Sequence, residues 1–261
     1  MKPSNSDEKL TFGGHMEVFR RMFLRIIMVA GAIAMVVFCF KETTWEVLLA
    51  PSEWDFCTYR WIELAFHFFD MDFHFEEYHV NMIATDLSSQ FMTHITTAVY
   101  LGVLGASPYI LYELFRFISP ALYENERRYS VQVAGIIYAL FILGVLMSYF
   151  VLFPISFRFL GTYSVSTKVV SNITLDSYIS TFVSLTLIMG VVFQLPVIAF
   201  FLGKMGVITS AMLAKYRKHS FVVIMLVAAI ISPPDLMTLI LVTIPLYMLY
   251  EVSIRVVRWV E

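Results

Sequence analysis

Apolar runs recur along this chain at a length that a lipid bilayer sets. A helix rises 1.5 Å per residue, so a hydrocarbon core of about 30 Å calls for about 20 residues. The runs at Met22–Phe40, His94–Phe117, Val131–Leu152 and Ser177–Leu202 are of that order. Two more, His219–Ile231 and Leu236–Tyr250, have thirteen and fifteen residues, and as helices they cover only about 20 Å each. Between these two stands "SPPD", where Pro233 and Pro234 turn the chain because proline cannot continue a helix. The pattern predicts an all-α integral membrane protein with six transmembrane helices, the last two short, forming a single membrane domain over residues 1–261.

Composition supports the membrane reading. Of 261 residues, 59% are hydrophobic and 15% charged, and a mean hydropathy of +0.76 lies outside the range of ordinary soluble domains. The first run is long for the apolar core of a signal peptide, and no clear small-residue cleavage site follows it, so it reads as a retained span. Cys39 lies in that span and Cys57 beyond it, which implies no disulfide framework. The sequence has no P-loop, dinucleotide fingerprint, zinc-ligand spacing or nucleophile elbow. Neither an enzyme, a bound cofactor nor nucleic-acid binding is expected.

Charge then sets orientation, because lysine and arginine concentrate on the cytoplasmic side. Fourteen of the eighteen basic residues fall in the amino-terminal arm, the second and fourth connections and the carboxyl end. The first connection has only Lys41 and Arg60, and the third only Arg158 and Lys168. Both termini are therefore expected in the cytoplasm, with residues 1–21 a cytoplasmic arm, 41–91 an enlarged outer loop and 118–130 a cytoplasmic loop. The outer loop carries ten acids against two basic residues. Within it "DMDFHFEEYH", Asp70 to His79, alternates polar and apolar positions and predicts a short strand or hairpin at the membrane surface. His67, Asp70, Asp72, His74 and His79 have no recognised ligand spacing, and a solvated acidic face is the expected reading.

The stretch "ELFRFISPALYENERRY", Glu113 to Tyr129, sets three glutamates and three arginines between two apolar spans. With "MIATD" (Met82 to Asp86), "YFVLFP" (Tyr149 to Pro154), "FQLPV" (Phe193 to Val197), "SPPD" (Ser232 to Asp235) and "IPLYMLYE" (Ile244 to Glu251), it resembles the TatC family, the multispanning subunits of the twin-arginine translocase. The order and spacing of these segments carry the resemblance, which covers nearly everything except the arm and an insertion from about Ser52 to Asn81. It implies a multi-pass receptor in the bacterial inner membrane that binds Arg-Arg signal peptides of folded proteins. It also implies single-span TatA and TatB partners, a homo-oligomeric complex in contact with membrane lipid, and transport driven by the proton gradient.

Two arginines ask for fixed carboxylates, because a guanidinium fork pairs with a carboxylate through two parallel hydrogen bonds while an ammonium is a point charge. The resemblance places Glu126 on the glutamate of the family's "ALYxxERR" pattern and makes it the first candidate. Glu124 is the second. Positions two apart point the same way in an extended loop but about 200° apart on a helix, so both serve one ligand only if the loop is extended. The alternative is that both pair with Arg127 and Arg128 or complement the start of the next helix. Phe117 and Tyr123 flank the loop, as apolar contacts for a ligand or as interfacial anchors. TatC proteins open with "HLxELRxR", and "HMEVFRRMFLR" from His15 to Arg25 puts Arg20 on the first arginine position and Val18 where the glutamate is expected. Glu17, one position early, is an additional carboxylate candidate or a helical partner of Arg20 or Arg21.

Gln194 and Pro196 interrupt the fourth span. The proline strands the carbonyl of Val192, and the glutamine offers a partner either inside the chain or on a docked helix. Family members often carry a glutamate at this position, so the resemblance implies a docking site for partner helices. Asp235 matches a family aspartate near the outer face, and Pro51 matches a proline at the start of the first outer loop, where its fixed φ sets the exit angle of the chain. The competing class is a proton-coupled secondary transporter of a small solute, which calls for two related halves with broken helices. No internal repeat is evident.

Overall fold

Helices in lipid gain little from burying apolar surface against one another, so they associate through close backbone approach and satisfied polar groups. Both devices are visible in the computed structural model, which describes residues 12–68, 70, 74–118, 130–164, 166 and 172–261. The chain begins with α1 (Phe12–Cys39) and α2 (Lys41–Leu49), a short 3₁₀ turn (Ala50–Ser52) and α3 (Cys57–Phe68). Strand β1 (Met82–Ile83), α4 (Ser89–Ile118) and α5 (Ser130–Met147) follow. A π-helical turn (Ser148–Leu152) leads into α6 (Phe153–Thr162), then β2 (Ile173–Thr174), α7 (Leu175–Val192) and α8 (Leu195–Lys204). The chain closes with α9 (Ser210–Lys215), α10 (Arg217–Ile231) and α11 (Leu236–Val260).

Among the described residues, five stretches are long and apolar enough to cross a membrane: Met16–Cys39, Ser89–Arg116, Val133–Thr162, Leu175–Lys204 and Leu236–Val260. Helix α10, with 15 residues, is short, as the sequence predicts. Helix α11 is not: it has 25 residues and runs ten beyond the expected end at Tyr250. The reason is that Ser253, Ile254 and Val257 continue its buried face at helical spacing, while Arg255 and Arg258 keep to the exposed side.

Close approach is clearest at two glycines. A Cβ on Gly102 of α4 would lie 2.6 Å from the Ala34 Cβ and 2.7 Å from the Ala30 carbonyl of α1. One on Gly144 of α5 would lie 2.5 Å from the Met189 carbonyl of α7. The core lies around α6 and α7, where Phe153, Tyr178 and Phe182 meet edge to face, with Leu185, Met189, Val242 and Leu246 packed beside them.

One end of the bundle is capped by α2, the 3₁₀ turn and α3. Proline at position 154 cannot donate to the carbonyl of Phe150, and the Thr58 hydroxyl of α3 donates to that oxygen instead. The Tyr59 hydroxyl donates to the Pro154 carbonyl at 2.8 Å. The final carbonyls of α2 are satisfied in the same way, Val47 by the Tyr149 hydroxyl and Leu48 by that of Tyr178, both at 2.7 Å. Among the described residues of the stretch Asp70 to His79, the expected strand or hairpin is not present. Residues 74–81 have no regular structure, and the ladder lies further on, a parallel pairing of Met82 with Ile173 and Ile83 with Thr174. Phe75 and Tyr78 are instead drawn onto the Arg158 guanidinium, 4.4 and 4.6 Å from their ring centres.

Candidate functional site

The opposite end of the bundle gathers charge. Helix α1 reaches it with Glu17, Arg20, Arg21 and Arg25, and the last turns of α4 bring Glu113 and Arg116. Phe115 of α4 meets Phe201 of α8 with ring centres 6.0 Å apart, which places the fourth connection and the end of α11 at the same end. There the Arg217 guanidinium meets Glu251 at two points, an ion-pair contact of Nε with Oε1 at 2.8 Å and a hydrogen bond from Nη2 to Oε2 at 2.9 Å. Ser210 donates its amide and hydroxyl to the Glu261 carboxylate.

Glu17 pairs with Arg21 one helical turn away, both side chains exposed. That is one of the two pairings the spacing predicts, and it contributes under about 0.5 kcal/mol in such a setting. Arg20 is exposed on the same helix. Phe117 lies in the last turn of α4, with its side chain outside the described residues. Glu124 and Glu126 also lie outside them.

A carboxylate the sequence reading passed over lies between these parts. Glu113 is buried, its side chain 6% exposed, and its Oε1 accepts from Arg25 Nη1 at 3.1 Å and from the Tyr109 hydroxyl at 2.9 Å. Arg25 is 45% exposed, and its Nε also donates to the Arg21 carbonyl at 3.3 Å. The contact is single-pronged, and Oε2 takes neither bond. A glutamate inside an apolar run is itself a signal, since membrane depth requires a partner for it. Arg25 stands 88 residues away in the chain, so only the pairing of α1 with α4 names that partner.

Gln194 sits at the break between α7 and α8, with Pro196 in the first turn of α8. Its Nε2 donates to the Ile137 carbonyl of α5 at 3.0 Å, and its Oε1 is buried without a partner among the described residues. The glutamine thus serves a neighbouring helix of its own chain and keeps one acceptor spare. Beside it α5, α8 and α11 enclose a groove of about 460 Å³, lined by Ile136, Leu140, Pro196 and Val252, with Arg255 and Trp259 also on its wall. At the capped end Asp235 is the N-cap of α11, its Oδ1 accepting from the Thr238 amide at 2.7 Å. Pro51 is buried in the 3₁₀ turn, a structural placement that the fixed φ of proline favours.

Fold and site together define a multi-pass, all-α membrane protein with the Arg25–Glu113 and Arg217–Glu251 pairs at one end and hydroxyl-to-carbonyl bonds capping the other. Residues 14–245 match the family model for TatC, the Sec-independent protein translocase protein. The chain is 32% identical over 261 residues to the Sec-independent protein translocase protein TatC of Blattabacterium sp. subsp. Periplaneta americana, covering 98% of each chain. It is 36% identical over 199 residues to TatC of Helicobacter pylori strain 26695, covering 76% of this chain and 78% of that one. A crystal structure of the twin-arginine translocase receptor TatC superposes with a TM-score of 0.73 at 30% identity, over 94% of this chain and 99% of that one. The chain belongs to the TatC family and is a core subunit of the Tat translocase.

Proposed function

We propose that this subunit is the signal-peptide receptor of its translocase. The charged end of the bundle faces the cytoplasm of a bacterial cell, both termini included, and receives the Arg-Arg motif of signal peptides on folded proteins. Glu126 is the principal carboxylate and Glu124 the second, Arg20 and Glu17 of the arm border the site, and Phe117 meets the apolar part of the peptide. Single-span TatA and TatB partners dock at Gln194 and Pro196, the proline lining the groove between α5, α8 and α11 and the glutamine lying just before it at the helix break with a buried, spare Oε1. The assembly is homo-oligomeric, and transport draws on the proton gradient.

The observation that carries this reading is the likeness, across nearly the whole chain, to a solved twin-arginine translocase receptor. The test is binding of an Arg-Arg signal peptide, and of its Lys-Lys counterpart, to the purified protein and to Glu126→Gln. A charge-assisted bond contributes about 1.5–3 kcal/mol, so the expected result is an arginine preference of about tenfold or more that shrinks in the variant. Equal binding of both peptides by both proteins would overturn the receptor reading.

A further inference from the structure

Glu113 has the surroundings of a guanidinium receptor. Its side chain is only 6% exposed, and an ionised carboxylate in that position must be paired and hydrogen-bonded. Tyr109 fixes Oε1 from its own helix, one turn away. The remaining partner is a guanidinium, and it comes from the half-exposed Arg25 on a different helix, through one bond to one oxygen. The carboxylate therefore displays the chemistry of its ligand in its present partner, and its single contact with Arg25 is looser than the two close contacts between Arg217 and Glu251.

Resting on the receptor reading above, we infer that Glu113 is a specificity-determining carboxylate for the arginine pair, and that Arg25 is a placeholder which an incoming arginine displaces. Exchanging one guanidinium for another never leaves Glu113 unpaired. A lysine entering the same pocket replaces a planar fork by a single strongly hydrated charge, so the exchange itself discriminates between the two. The pocket also lies at the right place in the chain. Glu113 stands five residues before the end of α4 at Ile118, the helix that leads into residues 118–130, and Arg25 belongs to the helix that begins in the arm.

Two measurements test this. The first reads peptide affinity in variants of the full-length protein. Glu113→Gln is expected to weaken binding of an Arg-Arg signal peptide about tenfold and to reduce its preference over Lys-Lys, while Arg25→Ala tightens it at least threefold by vacating the pocket. Weakening by Arg25→Ala alongside Glu113→Gln would make the pair a mere clamp between α1 and α4 and overturn the proposal. The second needs no peptide: N-acetyl-arginine amide is expected to raise the unfolding temperature of Arg25→Ala. It should not do so in the unsubstituted protein or in Arg25→Ala with Glu113→Gln, and N-acetyl-lysine amide should do so in none. Absence of that rescue also overturns the pocket. An arginine preference that depends on Glu126 but ignores Glu113 would leave the receptor standing and remove only the pocket. Rescue by the arginine amide without any peptide preference would do the reverse.

Discussion

The two ends of the bundle solve the same problem with different chemistry. At the capped end, the carbonyls of Phe150 and Pro154 and those at the end of α2 are met by neutral hydroxyls of Thr58, Tyr59, Tyr149 and Tyr178, set among rings that meet mostly edge to face. At the charged end the contacts are ion pairs, several with long side chains half in solvent, as in Arg25 with Glu113 and Arg217 with Glu251. A buried neutral hydrogen bond is costly to leave unmade, whereas an ion pair with a half-exposed arginine trades that arginine for another cation at little cost as long as its carboxylate stays paired. The capped end is thus built to stay fixed, and the charged end to change partners, which is what the proposed receptor role asks of it.

The sharpest way to break this comparison is to remove Arg158, which lies 5.0 Å from the Tyr59 ring centre and closer still to those of Phe75 and Tyr78, and donates to the Glu76 carbonyl at 2.7 Å. Arg158→Ala should cost about 2–3 kcal/mol, read as a lower unfolding temperature in detergent and faster proteolysis within residues 74–83. Tyr178→Phe leaves the Leu48 carbonyl without its donor and should cost about 1–2 kcal/mol. Arg217→Ala, at the other end, should cost under about 1 kcal/mol in thermal unfolding, because the pair is partly exposed. If it destabilises as much as Tyr178→Phe, the two ends are not differently built.

The smallest effect is in pH, and the ends should respond in opposite directions. Burial holds the Tyr59 phenol above its ordinary value of 10.0. The folded protein therefore keeps that proton more tightly than the unfolded chain, and the contribution is present below about pH 10 and lost as pH rises past it. Hydrogen bonds from Ser210 hold Glu261 below its ordinary value of 4.5. Its contribution is present above that value and lost as pH falls through the lowered one. Unfolding temperature measured against pH should lose part of its alkaline component in Tyr59→Phe and part of its acid component in Glu261→Gln. An unchanged profile in both would remove this distinction between the ends.

Much of the architecture was legible in the residues. Span length follows from helical rise, and the interruptions at Pro196 and "SPPD" follow from proline's missing donor, so the helix breaks fell where expected. The last turns of α11 were hidden because Glu251, Arg255 and Arg258 resemble an exit from the membrane until the buried face beneath them is seen. The acidic run from Asp70 resembled a strand because alternation is all that sequence offers there. Its aromatic positions were claimed instead by Arg158, some eighty residues away.

The sequence by itself determined a helical membrane protein, its family and the charge pattern of its connections. Those properties are local: apolar length, charge balance and motif order are written in consecutive residues. Tertiary structure alone decided which carboxylate is buried, which arginine holds it and which hydroxyl answers each stranded carbonyl. Such pairings join residues as far apart as Arg25 and Glu113, or Tyr178 and Leu48. Close approach supports them: Gly102 lets α4 come up against α1, the helix that carries Arg25.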